Sequence, residues 1–483
     1  MEKAEVDEAE MAARINNFID NDREMFQPRP SDNPKDPLNW PLYIKIGVLL
    51  QVCLLAGLGT LNTAIINPAY GPMSKELGIS KVCASYQTTV VLAINGVAPL
   101  LWVPLANLRA DVSAAHRRTS LQWPISAALA LGPSTIVDVF FFHQRGRAMG
   151  AFTVILTTGA HIAPILGGLV GKHLGWRWTF IFAAMLDGAM FVIILFFLPE
   201  TLYDRDASRL TQTQEEREVK PGARTYLARL KPFERFPDRH LHASDFVLPA
   251  LRVARNPSVI FPAMYYGAQY GFGSILPAVT VAAIFGKVFH WNTLEIGLAY
   301  GGALTIGGVL GEVFSGSVLD WIVMRARRRL GGESPEPEVR LVGIWTGTIL
   351  LPAGLLIYAF TLQHHVFWFV PLFGTGLAVF GLQPIATTCY TYSIDCHREH
   401  GGDVAAVFNF VRQTFGMTFA FYVIPLCNKI GYDLAFVLFV IWGSVLGFIP
   451  IVVLMWKGKE IRDRFEKTSA EQTSAEEQEG DSQ

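Results

Sequence analysis

The stretch FVLFVIWGSVLGFIPIVVLM, residues 436–455, runs for twenty residues without a charge. A helix of about 20 apolar residues crosses the ~30 Å hydrocarbon layer of a bilayer. Residues 46–68 and 88–105 are uncharged in the same way, and about ten segments of this kind follow one another along the chain. One or two could arise by chance in a large core; ten could not. Inside lipid every backbone amide must find its partner within its own segment, which selects helices. The runs are continuous, unlike the short alternating segments of a membrane β-barrel. The fold class expected is therefore an all-α polytopic membrane protein.

Composition agrees. The 483 residues are 51% hydrophobic and 17% charged, against about 25% charged in soluble domains. The net charge of −1 resides in loops and tails and points to no nucleic-acid partner. The five cysteines (Cys53, Cys83, Cys389, Cys396, Cys427) match no metal-binding spacing. No phosphate-binding loop, nucleophile elbow, His-Glu-x-x-His or dinucleotide fingerprint occurs. Neither an enzyme nor a cofactor is expected, and energy would have to come from an ion gradient.

In order, an acidic, polar tail over 1–43 is expected to be unstructured, with the first span doubling as targeting signal. Trp40 and Tyr43 suit an interfacial aromatic belt. Spans are expected at 44–67, 86–107, 148–171 and 178–198, with an irregular candidate at 124–142. A polar, arginine-rich linker over 199–257 separates these from six further spans at 258–288, 294–323, 341–362, 366–394, 404–426 and 433–456. The charged, low-complexity tail 457–483 is expected to be disordered.

Lysine and arginine in short loops mark the cytoplasmic side. In the second half Arg325, Arg327, Arg328, Arg329, Arg340, Arg398, Lys457, Lys459, Arg462 and Arg464 fall on one side, while the opposite loops hold only Lys429. Both termini and the linker are thereby predicted to be cytoplasmic. The same rule applied to the first half uncovers a defect. Arg109, Arg117 and Arg118 after the second span, and Arg145 and Arg147 before the next clear one, should share a side. An even number of crossings must separate them, yet the apolar segment between is only ~20 residues, enough for one. It also contains Pro124, Pro133 and Asp138. Either this segment does not span, or about one and a half helices are missing around 107–132, by deletion or a misplaced splice junction.

Several strings resemble the major facilitator superfamily, in particular fungal members of its twelve-spanner drug:proton antiporter group. Gly159-Ala160-His161-Ile162-Ala163-Pro164-Ile165-Leu166-Gly167-Gly168 is similar to the antiporter motif of the fifth family helix, with Ala163 where glycine is usual. Gly175-Trp176-Arg177-Trp178-Thr179-Phe180, Pro199-Glu200-Thr201-Leu202, Gly316-Ser317-Val318-Leu319-Asp320 and Glu336-Pro337-Glu338-Val339-Arg340-Leu341 also match. In the first half the likeness stops after Pro104-Leu105-Ala106-Asn107 and resumes at Gly132-Pro133-Ser134-Thr135-Ile136-Val137-Asp138. The resemblance thus implies that helix three and the start of helix four are absent or replaced by unrelated residues. The resemblance implies a two-half helical bundle with an incomplete N-terminal half. It also implies that Gly159, Pro164, Gly167 and Gly168 form a kinked helix between the halves that seals a proton leak. Tight packing alone is the other reading of those small residues.

Ionisable groups within spans are costly and are functional candidates. Glu312 could bind the coupling proton or a cationic substrate, or pair with an arginine. Arg412, with Asn409 and Gln413, could contact substrate or hold helices together. Asp138 suits a gate salt bridge near His143 and Arg145; Asp320 and Asp395 suit latches beside Arg325 and Arg398. His161 and Asp187 could handle protons or be hydrogen-bonded in place. Asn62, Asn67, Tyr265, Tyr266, Gln269, Tyr270, Gln383, Tyr390, Tyr392 and Asn409 are polar or aromatic at mid-membrane depth and could line a cavity for an amphipathic molecule. The expectation is a monomeric, proton-coupled exporter of a drug or secondary metabolite in the plasma membrane, its partners being that small molecule, protons and the lipid bilayer. Uptake of a cation or polyamine is one alternative; a non-transporting or defective membrane protein is another.

Overall fold

The computed structural model describes residues 36–108, 132, 135–136, 138–199, 201, 248–330, 336–397 and 401–480. Among them every regular element is helical. The first half contains α1 (Leu42–Ala64), the short α2 (Tyr70–Leu77), α3 (Lys81–Leu108), α4 (Phe142–His173) and α5 (Trp176–Phe197). The second half contains α6 (Leu248–Ala254), α7 (Pro257–Tyr270), α8 (Leu276–Val288), α9 (Thr293–Arg329), α10 (Ile344–Gln363), α11 (Phe369–Cys396), α12 (Gly401–Ile430), α13 (Tyr432–Val440) and α14 (Ile449–Gly480). α7 and α8 form one span joined by a π-helical turn at Gly271–Ile275, and α13 and α14 are linked through another at Ile441–Leu446.

Eight of the described helical stretches are long and apolar enough to cross a bilayer. α3 and α12, at 28 and 30 residues, have the length for a span. They pack on each other where the two halves meet. The second seam between halves is α4 against α9. α3 and α9 are each the second span of their half; α4 and α12 are each the last but one. The two seams therefore have equivalent composition. The turns after α4 and α12 repeat too: Gly175 (φ +97°) and Gly431 (φ +88°) each precede an aromatic helix start, in the left-handed region that glycine adopts without a Cβ clash.

Lipid is as apolar as a leucine side chain, so helices associate there through close packing of small residues. The glycines show it. A Cβ on Gly159 would strike the Gly57 carbonyl and lie 2.6 Å from the Thr60 hydroxyl; one on Gly167 would strike the Ile65 carbonyl. Gly307 and Gly311 bring α9 against Gly376 and Phe380 of α11 in the same way. The largest apolar cluster lies in the second half, built around Phe285, Tyr358, Phe419 and Phe436.

Three expectations are corrected. Trp40 is not an interfacial anchor: it is 4% exposed and packs with Val48, Ile136, Val139 and Phe140. Lys45 holds this corner, donating to the Leu38 carbonyl (2.9 Å) and lying 4.6 Å from the centre of the Phe141 ring. The tail after residue 457 is helical, not disordered, as far as Gly480. Alanine, glutamate, glutamine and lysine favour helix, and the start of that segment is pinned. Lys459 and Arg462 donate to Glu336 at 2.6 and 3.0 Å, and Arg462 donates to Glu338 at 2.8 Å. Third, the tail 1–43 is structured from Asp36, whose carboxylate accepts from the Leu38 amide (3.0 Å) and opens a 3₁₀ turn. The remainder of that tail, most of the linker and the break at 109–131 lie outside the described residues. Of the irregular segment 124–142, Gly132, Thr135, Ile136, Asp138 and Val139 are helical, and Ile136 and Val139 are packed beneath α1 and α4.

Candidate functional site: a cavity shared by the two halves

A cavity of about 30 Å³ lies where α1, α3 and α4 meet α7, α8, α9 and α12. Thr60, Thr63, Asn67, Thr88 and Asn95 line it from the first half; Tyr270, Ser274, Tyr300, Arg412 and Gln413 line it from the second. That volume holds a water or two, far below the ~300 Å³ of a small-molecule site. The halves are closed around it in this conformation.

Each wall is positioned by hydrogen bonds typical of buried polar groups. The Tyr70 hydroxyl donates to Asn67 Oδ1 (2.9 Å) and also contacts the Thr88 hydroxyl. Asn95 Nδ2 donates to the Thr63 hydroxyl at 3.4 Å. Across the seam, Asn409 Nδ2 donates to the Asn95 carbonyl at 2.7 Å, so Asn409 joins the halves and stands behind the cavity. Arg412 donates to Asn409 Oδ1 (2.9 Å), and its guanidinium lies 4.5 Å from the centre of the Tyr270 ring, within cation–π range. Tyr266, Tyr390 and Phe408 extend the aromatic wall, with Tyr390 and Phe408 ring centres 4.4 Å apart.

Of the residues singled out from the sequence, Tyr270 and Arg412 line the cavity, with Asn67 and Gln413 beside them; Tyr266 and Asn409 support it. Five cavity candidates lie elsewhere, among them Tyr265, whose hydroxyl pairs with that of Thr348 on α10 at 2.8 Å. Gln269 donates to the Gly443 carbonyl (2.8 Å) and accepts from the Ser444 hydroxyl (3.1 Å), occupying its amide at the π-turn of the last span. Tyr392 is buried on α11 near Gly458 and the Glu338–Arg462 pair. Gln383 packs against Gly311 at the α9–α11 contact. Asn62 donates to Asp187 (2.8 Å), tying α1 to α5. Sequence inspection missed Thr63, Thr88, Asn95 and Tyr300. A helical net places Thr88 and Asn95 seven residues apart on one face of α3, a polar stripe that marks the inner face.

The gate candidates are rearranged. Asp395 is latched by Arg340 Nε at 2.6 Å; Arg398, its expected partner, lies outside the described residues. Arg325 stacks on Trp321 (5.2 Å), not on Asp320, which is exposed and makes no ion pair among the described residues. Glu312 likewise has no described cationic partner. It lies one helical turn beyond Gly308, and a Cβ on Gly308 would strike the His161 ring. Glu312 and His161 thus belong to the same α4–α9 seam. The side chains of His143 and Arg145, expected near Asp138, lie outside the described residues. Of the motif's three glycines Gly168 meets the other half: its added Cβ would lie 2.9 Å from Gly297 Cα. Gly159 and Gly167 serve packing within the first half, and Pro164 presents its carbonyl to Gly297.

A bundle of spanning helices in two halves, with a polar cavity between them, defines a multi-pass membrane protein of the transporter class. The family model described as Major Facilitator Superfamily matches residues 121–421, and the chain belongs to that family. It is 26% identical over 463 residues to the MFS-type transporter penM of Penicillium rubens, with 89% of this chain and 88% of the relative aligned. It is 24% identical over 467 residues to the efflux pump radE of Floropilus chiversii, with 89% and 83% aligned. A crystal structure of a bacterial homologue of the human lysosomal transporter Spinster aligns with 89% of this chain and 99% of its own, at 14% identity and TM-score 0.48.

Proposed function

We propose that the chain is a monomeric, proton-coupled exporter of an amphipathic small molecule at the plasma membrane, with both termini in the cytoplasm. The cavity carries this reading. It is enclosed by side chains from both halves, so rocking one half against the other would expose it to either side in turn. Its hydroxyls, amides and aromatic wall suit a molecule with apolar bulk and a few polar groups. Outward direction is supported by the printed description of radE as an efflux pump. The cytoplasmic assignment rests on the arginines and lysines after α9, before α10 and in α14.

Glu312 is the proton carrier in this reading. A carboxylate within a span and without a cationic partner is costly when charged, so its proton affinity can change as the seam opens and closes. His161 stands on the facing helix. The test is transport in proteoliposomes with an internal pH dye and a broad panel of hydrophobic compounds. Glu312→Gln should abolish substrate-driven proton flux while leaving substrate counterflow; proton flux equal to wild type would overturn the assignment. The break after residue 107 supports a second reading, a non-transporting membrane protein. Inactivity of both this chain and one with a complete third helix inserted, each folded and in the membrane, would favour it.

A further inference from the structure

We infer that the transported molecule is an organic acid, its carboxylate held in the central cavity by Arg412. This rests on the transport reading above and names the cargo's chemistry.

The argument begins with charge. Arg412 projects from α12 into a cavity whose other described lining residues carry no charge. No carboxylate is within ion-pair distance of it among the described residues. Its companions are one amide, Asn409, and the π faces and hydroxyls of tyrosines. A guanidinium withdrawn from water costs several kcal/mol unless an anion answers it. Glu312 lies at the α4–α9 seam near His161.

Unused hydrogen-bonding capacity is the second observation. Among the described residues Arg412 Nε has no acceptor, and the Tyr300 hydroxyl, on a residue 1% exposed, has no partner. Both line the same cavity, from α12 and α9 respectively. Two idle donors on residues that line one space call for an acceptor-rich group. A carboxylate fits, since its two oxygens can take the guanidinium fork and a hydroxyl together. Gln413 Oε1, also without a partner, would suit a second, donating group on the cargo. The apolar remainder of the molecule would lie on the Tyr266–Tyr270–Tyr390 wall.

The opposite end of the second half points the same way. A separate cavity of about 260 Å³ is lined by Lys81 of α3 and Lys287 of α8, with Thr280, Cys427, Asn428 and Tyr432 and no carboxylate. Lys75 is close enough to add to the field at Lys81. An anion leaving the centre on that side would meet positive potential, and a cation would be repelled. Polyamine or cation uptake is disfavoured by both cavities.

The test uses the purified full-length protein in nanodiscs and matched probes: 1-naphthylacetate, indole-3-acetate and 4-phenylbutyrate, each with its methyl ester and the corresponding amine. Binding is read by thermal shift and by tryptophan fluorescence. The acids should bind and their esters and amines should bind at least about 10-fold more weakly. Arg412→Gln should weaken the acids by about 10–100-fold, as loss of a charged hydrogen-bond partner does, without changing the ester. Arg412→Lys should recover part of the loss. Acid and ester binding equally in wild type, or acid binding unaltered in Arg412→Gln, would overturn the inference and leave transport standing. A thermal shift that follows chloride when it is exchanged for gluconate, with acid and ester alike, would assign the site to an inorganic anion and also overturn it. A folded protein that neither binds nor moves any compound of the panel or of the broader hydrophobic set counts against the transport reading and the acid together.

Discussion

Gly168→Ala should loosen the seam between the halves. The added methyl would lie 2.9 Å from Gly297 Cα and 3.1 Å from the Thr293 carbonyl, and contact becomes ordinary only at 3.4 Å. Both obstacles are backbone, so no side chain can swing aside. α4 and α9 must part by about half an ångström, or the Pro164–Gly297 approach beside them must distort. Overpacking of this kind costs about 1–3 kcal/mol. The gain in helix propensity from glycine to alanine returns ~1 kcal/mol, so the net loss expected is about 0–2 kcal/mol. Gly302→Ala on α9 is the internal control: nothing lies within 4 Å of its added Cβ, and propensity alone should stabilise it by up to ~1 kcal/mol. Thermal unfolding of both variants in one detergent supplies the comparison. Equal or higher stability for Gly168→Ala than for Gly302→Ala would refute the claim that backbone contact limits this seam.

Two further outcomes are expected at the basic face. Lys459 and Arg462 hold the Glu336 carboxyl below the usual glutamate range by hydrogen bonds; a lowered folded value means that the stabilisation is complete above the ordinary glutamate range and is lost as pH falls through the folded one. Protection factors against hydrogen exchange over residues 449–480, corrected for the intrinsic pH dependence of exchange, should therefore fall on acidification, and Glu336→Gln should remove most of that dependence. Arg340–Asp395 is a 2.6 Å pair about one quarter exposed on each side, so a double-mutant cycle with Arg340→Ala and Asp395→Ala should give a coupling of about 1 kcal/mol; zero coupling would show that the 3₁₀ turn before α10 is held by packing alone.

The spans were legible because lipid imposes a length and an apolarity that show in any window of the chain. Their neighbours were less legible. Asp395 was matched with Arg398, close in sequence, yet the tertiary contact is Arg340, more than fifty residues away. Gln269 and Tyr270 are adjacent and both polar enough for a cavity. One turns to the Gly443 carbonyl and the other to Arg412, because successive side chains on a helix point about 100° apart. Trp40 resembled an interfacial residue in composition, and its burial depended on Phe140 and Ile136, about a hundred positions later.

Apolar runs and loop charges, which act over one helix length, determined by themselves that this chain is a two-half helical membrane protein, and they exposed the irregularity after residue 107. They also placed Arg412 within a span. Only the tertiary structure decided that Arg412 faces a cavity common to both halves, that no described carboxylate answers it, and that Gly168 meets Gly297 across the seam. Those facts depend on the rotation and register of helices distant in the chain. The hydrophobic pattern leaves them open, because lipid accepts any apolar face and only backbone-close packing selects one.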